Sequence, residues 1–487
     1  MITHGGKFAA LLVAILMLTG CAAVGPDYIP PDVPVPDAWH NAAVEGLSEG
    51  EATLQTWWQA LGDPTLENLV QRAQSSNLTR QEAVARVQEA RAILGVASSR
   101  KFPEVNAGGT AQRFKSSDNS QLGQIAPNGL QTTNLFDVGF AASWEIDVFG
   151  RVRRSVEAAD ATLQASIEDY RDVLVSLFAE VARGYVDLRT TQARLRYARK
   201  NVKSQQDSLQ LTQDMFDEGA TSALDVAQAK SNLYTSSATI PRLQIAENSA
   251  LNRLAVLLGE TPGSLHSELA AAQPIPRAPD DVTAGIPADL LRQRADVRQA
   301  ERLLAAQTAR IGIATAELYP QFSLSGFFGF QATSIGDLFD SPSETWGVGL
   351  PFRWLLFDGK RIRSFISAEE ARTEQQLARY ELTLLRAYEE VENALVAYAL
   401  EQRSTQSLQQ AAEASRTAVD LVGFQYKAGL TDFQNLLDMQ RFLFRQEDEL
   451  AASEGQVIQN LIGLYTALGG GWDPNDVPTV QTGAANK

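Results

Sequence analysis

Six carboxylates crowd two short corners of this chain, and their type and spacing indicate a chemical role. They are Asp214, Asp217, Glu218 and Asp225 at the first corner, and Asp432 and Asp438 at the second. If several copies of the chain surround an axis, these groups form rings, and a ring of negative charge in a narrow passage favours cations and resists closure by repulsion. Acids near a helix start also complement the helix dipole, so Asp225 fits a simple cap equally well. Asp438 lies further into its helix, which favours the aperture role.

Each corner has the residues of a tight turn between two helices. Gly219 and Gly429 suit the left-handed conformation that ends a helix. Ser222-Ala223-Leu224-Asp225 and Thr431-Asp432-Phe433-Gln434 each fit a capping box that would start the next helix. The sequence therefore predicts two helical hairpins whose turns carry the acids.

The chain offers little for catalysis. His4 belongs to the predicted signal peptide, and His40 and His266 lie in proline-rich or irregular segments. The sequence has no nucleophile elbow and no cluster with metal-ligand spacing. Asp358-Gly359-Lys360-Arg361 has the Gly-Lys pair of a phosphate loop, but lacks the upstream glycine and the following Ser or Thr. We therefore expect no enzyme, no metal site and no bound cofactor.

The elements that position the two corners occur twice in the chain. Tyr170 returns as Tyr380 and Leu258-Gly259 as Leu468-Gly469, at one offset of 210 residues. Further upstream, similar segments return at a nearby offset of 217 residues. Two long copies indicate a duplicated domain rather than a solenoid.

Each half contains a long segment with helical periodicity and a shorter return segment. Arg151 to Phe216 has no proline and only one glycine, Gly184. At ~1.5 Å per residue it could form a helix of roughly 95 Å, with a coiled-coil-like apolar seam. The return helices are predicted at Leu224 to Leu258 and Gln434 to Leu468.

A local kink is expected in one return helix only. Pro241 lies in the first, and Ala451 stands at the matching position of the second. Shorter helices, Leu66 to Ala97 and Leu290 to Ala316, lead towards the strand segments and could stack end to end with the return helices.

The N-terminus has the pattern of a bacterial lipoprotein signal. Lys7 precedes an apolar run from Phe8 to Leu18, and Leu18-Thr19-Gly20-Cys21 matches a lipobox. The mature chain would begin at Cys21, carrying an N-acyl group and an S-diacylglycerol. Eleven apolar residues are too few for a transmembrane helix. Ala22 follows the cysteine, which by analogy with lipoprotein sorting indicates the outer membrane. Cys21 is the only cysteine, which excludes disulfides and thiol catalysis.

Composition narrows the class of partner. Hydrophobic residues make up 44% of the chain, and no later segment has 18 continuous apolar residues, which argues against a helical membrane span. The net charge is −16 and the pI about 4.8, which disfavours nucleic acid and suits a surface or channel that handles cations or neutral solutes.

Each half also contains two segments in which apolar and polar residues alternate. The clearest runs from Phe136 to Val148, and the others are Val105 to Phe114, Phe322 to Phe330 and Trp346 to Trp354. Alternation over about ten residues with aromatic ends is typical of a transmembrane β-strand with an aromatic girdle. An amphipathic strand on a soluble sheet is the alternative, but it does not account for two such hairpins with long polar loops in a lipoprotein.

Four strands cannot close a barrel, and open edges are not tolerated in hydrocarbon, because each unpaired backbone group there costs several kcal/mol. Several copies must therefore share one barrel. Two copies would give eight strands and three would give twelve, and strand counting alone does not choose between them.

Several short motifs are spread over nearly the whole chain. They are Trp57-Trp58-Gln59-Ala60-Leu61-Gly62-Asp63-Pro64, Trp144-Glu145-Ile146-Asp147-Val148-Phe149-Gly150-Arg151, Arg292-Gln293-Arg294-Ala295-Asp296-Val297, Asn435-Leu436-Leu437-Asp438 and Ala467-Leu468-Gly469-Gly470-Gly471-Trp472. With the lipobox, they resemble an outer-membrane efflux channel of the TolC/OprM type, the outer membrane factor family, in its NodT lipoprotein branch.

This resemblance implies an α+β membrane protein that forms a homotrimer. Its twelve-stranded barrel, four strands per protomer, would stand in outer-membrane lipid, continuous with a twelve-helix periplasmic tunnel that has an iris-like closed end. A periplasmic membrane-fusion adaptor and an inner-membrane pump of the resistance-nodulation-division type would be partners, and the channel would passively conduct drugs or other small toxic solutes. The alternatives are the channel of a type I protein-secretion system and a coiled-coil envelope scaffold.

The resemblance also assigns roles at the corners. Asp225 and Tyr426 match members of a hydrogen-bond network at the closed tip, and Asp438 matches a pore-facing acid of some relatives. Thr431 stands where well-known relatives have a charged residue, and Asp432 follows it. Thr431 carries no charge and cannot form a salt bridge with Asp225. The contacts that hold the tip closed are therefore expected to be weaker than in those relatives, or to be made by other residues. The tips expected to dock adaptor or pump are Gly219, Ala220, Thr221, Gly429 and Leu430.

The predicted domain organisation follows the duplication. The segments are a signal peptide at 1–20, a lipidated extended tether at 21–63, a first repeat at 64–259, a linker at 260–287, a second repeat at 288–469 and a C-terminal tail at 470–487. The predicted strands are 103–114, 135–149, 320–331 and 345–357, and the predicted long helices are 151–216, 222–258, 360–427 and 432–468.

Overall fold

The computed structural model describes residues 23–473 apart from 35, 37, 41–46, 49–53, 118, 120–131, 280–281 and 284–290, together with residue 478. The predicted signal peptide, Cys21 and most of the predicted C-terminal tail lie outside the described residues. The chain divides into two compact units. Unit 1 comprises Met1–Pro31, Gln88–Ala165 and Ala300–Arg379, and unit 2 comprises Asp32–Val87, Ser166–Gln299 and Tyr380–Lys487.

Eight longer helices, labelled in chain order, account for most of the described residues. They are α1 (Pro64–Ser76), α2 (Leu78–Ser99), α3 (Arg151–Asp217), α4 (Ala223–Ser237), α5 (Thr239–Leu257), α6 (Ala295–Ala316), α7 (Arg361–Lys427) and α8 (Phe433–Ala467). The two long helices α3 and α7 contain 67 residues each, as their sequence periodicity predicts. None of the described helices combines the length and the apolar character needed to cross a membrane.

Five strands form one sheet in unit 1. They are β1 (Glu104–Phe114), β2 (Thr133–Ile146), β3 (Gln321–Ala332), β4 (Glu344–Gly349) and β5 (Phe352–Arg353). The order is β1-β2-β3-β4, all antiparallel, and β5 also pairs with β3. The two hairpins of the two halves thus meet through β2 and β3. A short parallel pair, Leu47–Ser48 with Val282–Thr283, lies in unit 2.

One predicted strand is wrong in detail. The segment 345–357 was expected to form a single strand, but it is divided into β4 and β5. Pro351 lies at the division, and proline has no N–H to donate to a ladder. Its carbonyl still accepts a hydrogen bond from the Ser323 N–H at 3.0 Å, so the chain stays attached to β3.

The predicted break in the first return helix is confirmed. That helix is divided into α4 and α5 at Ala238, three residues before Pro241. Pro241 thus lies in the first turn of α5, where its missing N–H costs least. The second return helix, α8, is continuous, and Ala451 is buried within it.

The shorter helices are also divided, at Asn77 and at Arg294, instead of running unbroken as predicted. At each division a side chain donates to the end of a return helix. The Asn77 amide donates to the Leu257 carbonyl at 2.8 Å, and the Arg294 guanidinium donates to the Ala467 carbonyl at 2.6 Å. The last carbonyls of a helix lack partners within it, so these contacts satisfy them. In both halves the end of the return helix therefore contacts the division of a shorter helix, and end-to-end stacking of the helices stays a prediction.

The core of unit 2 follows the predicted seams of the long helices. On α3, Tyr170, Leu174, Val181, Tyr185 and Leu188 are buried. On α7 the buried seam residues include Tyr380, Leu384, Val391, Leu395 and Tyr398. A Cβ on Gly184 would come within 3.2 Å of the Leu254 side chain, so the only glycine of α3 permits a close approach of the return helix.

Candidate functional site

Both helical corners use the same backbone turn. Gly219 and Gly429 have φ of 77° and 70°, in the left-handed region where glycine is favoured. The Ala220 N–H donates to the Met215 carbonyl at 2.7 Å, and the Leu430 N–H donates to the Gln425 carbonyl at 2.8 Å. These are the backbone bonds of a Schellman motif, which satisfies carbonyls at the end of a helix.

The first corner starts α4 with the predicted capping box. The Ser222 side chain accepts from the Asp225 N–H, and the Asp225 carboxylate accepts from the Ser222 N–H. The same carboxylate oxygen also accepts from the hydroxyls of Thr221 at 2.6 Å and Ser222 at 2.8 Å. The Thr221 hydroxyl, followed by the hydrogen bonds from Ser222, holds the pKa of Asp225 below its usual range. Asp225 is thus the ionised N3 residue of the capping box that Ser222 begins.

At the second corner the predicted capping box is wrong by one residue. Asp432, not Thr431, is the N-cap of α8, and its carboxylate accepts from the Asn435 N–H at 3.1 Å. The Asn435 amide in turn donates to the Thr431 hydroxyl at 2.9 Å. The 210-residue offset pairs Ser222 with Asp432, and this signal would have given the correct register. A carboxylate accepts hydrogen bonds from N–H groups without having to orient a hydroxyl, which favours Asp432 as the cap.

Tyr426 is buried rather than open to a passage. Its side chain is 2% exposed, and its hydroxyl donates to the Thr212 hydroxyl at 3.2 Å. It lies in a cluster with Ala229, Phe433, Leu436 and Leu437, against which Leu209, Leu211, Met215 and Val422 pack. Periodicity alone did not single out this cluster, which joins helices from both halves.

Asp438 is one of two exposed carboxylates among the predicted gate residues, and Asp432 is the other. Asp438 accepts hydrogen bonds from the Gln434 amide at 3.0 and 3.1 Å, and the Arg441 guanidinium lies 3.9 Å away. About half of its side chain is exposed, so the weak ion pair is screened by solvent. The predicted docking residues are also on the surface, and Leu430 is 78% exposed at the tip of its corner.

The register of the sheet gives it one apolar and one polar face. Residues paired directly across neighbouring strands share a face. The apolar face carries Phe136, Val138, Phe140 and Trp144 of β2 together with Leu324, Phe328 and Phe330 of β3. The polar face carries Glu104, Asn106 and Thr110 of β1, Asp137 and Ser143 of β2, and Ser325 and Gln331 of β3. This is the alternation predicted for a wall between lipid and water.

The chain preceding the sheet is fastened beside the junction of β2 and α3. The Val24 N–H donates to the Phe149 carbonyl at 3.1 Å. Arg154 donates to the carbonyls of Val24 and Gly25, each at 3.2 Å, and to the Asp27 carboxylate at 2.7 Å. The predicted lipid site, Cys21, lies outside the described residues, two positions before the first described one.

The Arg294 motif forms a charged cluster in unit 2. Its guanidinium contacts the carboxylates of Asp296 and Glu390, each at 2.8 Å. Burial, and then the charge of Asp296, raises the pKa of nearby Asp172 to about 6. Among the described residues, no group of His, Cys, Asp and Glu side chains is arranged to hold a metal ion.

Comparisons with known proteins agree over nearly the full length. A family model described as "Outer membrane efflux protein" matches residues 69–260 and 286–470. Nodulation protein T of Rhizobium leguminosarum bv. trifolii is 32% identical over 464 residues, covering 94% of this chain and 96% of the relative. Outer membrane protein OprJ of Pseudomonas aeruginosa is 31% identical over 483 residues, covering 98% of each.

Solved structures give the same result. The outer-membrane channel OprN superposes with a TM-score of 0.87 at 36% identity, over 93% of this chain and 100% of that chain. The structures that this chain resembles are trimeric channels of the TolC type, with a helical barrel and a β domain. The fold class predicted from the sequence is therefore confirmed.

Proposed function

The chain belongs to the outer membrane efflux protein family and is an efflux channel rather than a protein-secretion channel, and we propose that it works as a homotrimer in a tripartite assembly. A periplasmic membrane-fusion adaptor and an inner-membrane pump of the resistance-nodulation-division type would deliver drugs or other small toxic solutes to it. Transport through the channel would be passive, without catalysis and without a bound cofactor.

The two-faced sheet with open edges is the observation that carries this proposal. β1 has no partner on its outer side among the described strands, and β4 is the opposite edge. A sheet whose one face is suited to hydrocarbon cannot leave such edges unpaired in a membrane. Neighbouring protomers would supply the missing partners, and three copies of four strand segments would complete the wall.

The surface of α7 supports association of several copies. Its exposed apolar side chains include Leu382, Leu385, Leu400, Leu421 and Phe424, and Phe424 is 71% exposed. By contrast, among the described residues of α3 the only exposed large apolar side chain is Phe216, and it is 39% exposed. Apolar side chains at helical spacing on one helix indicate a surface that another copy covers.

We also propose that Asp225, Asp432 and Asp438 contribute negative charge to the periplasmic aperture, with Asp438 contributing most. The carboxylates of Asp225 and Asp432 accept hydrogen bonds from backbone N–H groups at helix starts. Asp438 lies further along α8, and half of its side chain is exposed. The tips formed by Gly219, Ala220 and Thr221 and by Gly429 and Leu430 would contact the adaptor or the pump.

The proposed location is the outer membrane, with the helical part in the periplasm and a lipid anchor on Cys21. The contacts of Arg154 hold the described start of the chain beside the end of β2. In the sequence, Cys21 is two positions before Ala23, the first described residue. An anchor at that position would enter the membrane close to the barrel wall.

Ion selectivity in a planar bilayer tests the channel and the aperture together. The purified protein should conduct ions and prefer cations, and Asp438→Asn should reduce that preference more than Asp225→Asn or Asp432→Asn. Absence of conductance in the unaltered protein would contradict the channel. If a variant with all three substitutions conducts with unchanged selectivity, only the ring of acids is rejected.

Deletion of the gene tests the efflux function in the cell. Sensitivity to one or more compounds in a panel of drugs, metals and solvents should increase and should be restored by the cloned gene. A deletion strain whose sensitivity is unchanged across the panel would contradict the export of small toxic solutes.

A further inference from the structure

Three large apolar side chains lie on the polar face of the sheet: Phe114 and Leu135 near one end, and Phe327 near the middle of its strand. Phe327 of β3 pairs with Ala141 of β2 and with Gly347 of β4, and it shares a face with Ser325 and not with Phe328. It is 52% exposed. An aromatic ring on the lipid side of a barrel needs no special explanation, but this ring faces the side that carries polar residues.

The ring of Phe327 leans over the neighbouring strand. A Cβ on Gly347 would lie 2.6 Å from Cε1 and 3.0 Å from Cζ of Phe327, so the ring occupies the space above that glycine. Its neighbours along β3 on the same face are Ser325 and Gly329, which are too small to cover it. The ring is therefore held against the sheet with half of its surface open.

Acidic residues share the polar face with this ring. Asp137 lies on it and accepts hydrogen bonds from the Thr110 hydroxyl at 2.7 Å and the Thr110 N–H at 3.2 Å. Glu104 and Glu145 lie on the same face, and Glu145 pairs with Arg151. Among the described strand residues of this face, the acids outnumber the one cation, Arg353, which pairs with Gln321 at one end of the sheet. Cations are therefore favoured on this side.

An open aromatic ring on a face that also carries acids suits one chemical class of solute. The face of an aromatic ring attracts cations, and its carbon surface removes apolar groups from water. We propose that Phe327 is a contact site for amphipathic organic cations that pass through the barrel. The proposal rests on the function proposed above, since association of three protomers places three copies of this ring around the water-filled lumen.

Block of the ionic current by a lipophilic cation tests this site. Tetraphenylphosphonium is added to the outer side of the full-length protein in a planar bilayer, and tetramethylammonium serves as a cation with little apolar surface. We expect Phe327→Ala to raise the half-blocking concentration of tetraphenylphosphonium about two- to fivefold, the range of one exposed cation–π contact. Phe327→Tyr keeps the aromatic face and should retain the block, and tetramethylammonium should respond little to either change.

Phe328→Ala is the matched control, because Phe328 is the next residue, is 48% exposed and lies on the opposite face. It should leave the block unchanged. An unchanged block in Phe327→Ala, or an equal change in Phe328→Ala, would overturn the site. Should Phe327→Ala fail to assemble, Phe327→Leu keeps the apolar volume without the ring, and a wild-type block in it would overturn the site as well. Failure of the unaltered protein to conduct would instead count against the proposed function.

Discussion

The two helical corners have the same backbone turn, but different residue types cap the helices that follow. At the first corner a hydroxyl residue, Ser222, is the N-cap and a carboxylate, Asp225, lies three residues later. At the second, a carboxylate, Asp432, is the N-cap and an amide, Asn435, lies three residues later. The bond to the preceding threonine is reversed too, because Thr221 donates to Asp225 whereas Thr431 accepts from Asn435.

The corners differ more strongly in their packing. Tyr426 and Phe433 flank the second turn, are 2% and 3% exposed, and have ring centroids 5.6 Å apart. Their counterparts at the 210-residue offset are Phe216, which is 39% exposed, and Ala223. Duplication has preserved the turn while the buried aromatic side chains are concentrated at the second corner.

One turn geometry thus supports two levels of local stability. Opening free energies vary within a protein with the apolar area that each segment buries. The second corner should therefore stay ordered while the first opens more readily. Since the second corner is anchored by its core, movement at the tip is expected to begin with the first.

The largest expected effect comes from removing one aromatic ring. Phe433→Ala should destabilise the second corner by about 3–5 kcal/mol, because it leaves a cavity in a packed cluster. Phe216→Ala, on the corresponding side of the first turn, should cost about 1 kcal/mol or less, because much of that ring is already in solvent. Hydrogen–deuterium exchange of the tip amides measures both.

The comparison fails if the two variants lose protection equally. Leu430→Ala serves as a control, because this residue is at the tip but 78% exposed, and it should leave the protection of both corners nearly unchanged.

Lowering the pH should have a smaller effect on the stability of the first corner. The pKa of Asp225 is lowered in the folded chain, first by the Thr221 hydroxyl, so its stabilising contribution is present above the ordinary pKa of an aspartate, about 3.9, and is lost as the pH falls through the lower folded value. The residue is only partly buried, so solvent screens its carboxylate and the loss should be less than about 1 kcal/mol.

Exchange protection of the α4 start between pH 5 and pH 3, corrected for intrinsic rates, measures this loss. Asp225→Asn should remove the pH dependence at that site. A variant that keeps the full pH dependence of the unaltered chain would show that another group titrates there.

Loss of the buried hydroxyl should have the smallest effect on conduction. Tyr426→Phe removes the bond to Thr212 and should cost about 0.5–1.5 kcal/mol, and the Thr212 hydroxyl retains its bond to the Ser208 carbonyl at 2.9 Å. Because the tyrosine hydroxyl and Thr212 are both buried among packed helices, the current through the closed channel should not change. A clear increase in that current would give the hydroxyl a part in closing the aperture.

The repetitive parts of the fold were predictable from the sequence. The long helices and the alternating strands have periods that local pattern reveals, and the break near Pro241 follows from the missing N–H of proline. The divisions at Asn77 and Arg294 were not predictable, because each is fixed by a carbonyl at the end of a helix about 180 residues away along the chain. Long-range hydrogen bonds leave no periodic signal.

The candidate site was predictable in its location but not in its contacts. Glycines and acids marked both corners, yet Thr431 and Asp432 both fit one capping position, and the capping-box pattern favoured the wrong residue. Burial of Tyr426 depends on helices from both halves, so no local segment indicates it. The roles of the tip acids in conduction remain predictions.

The central claim is that strand segments from separate protomers close one wall around a conducting lumen. The most direct measurement is the number of protomers in the detergent-solubilised particle, by native mass spectrometry, with conductance recorded from the same preparation. We expect three protomers per particle and ion flow across a bilayer. A monomer that is stable without detergent and carries no current would contradict it.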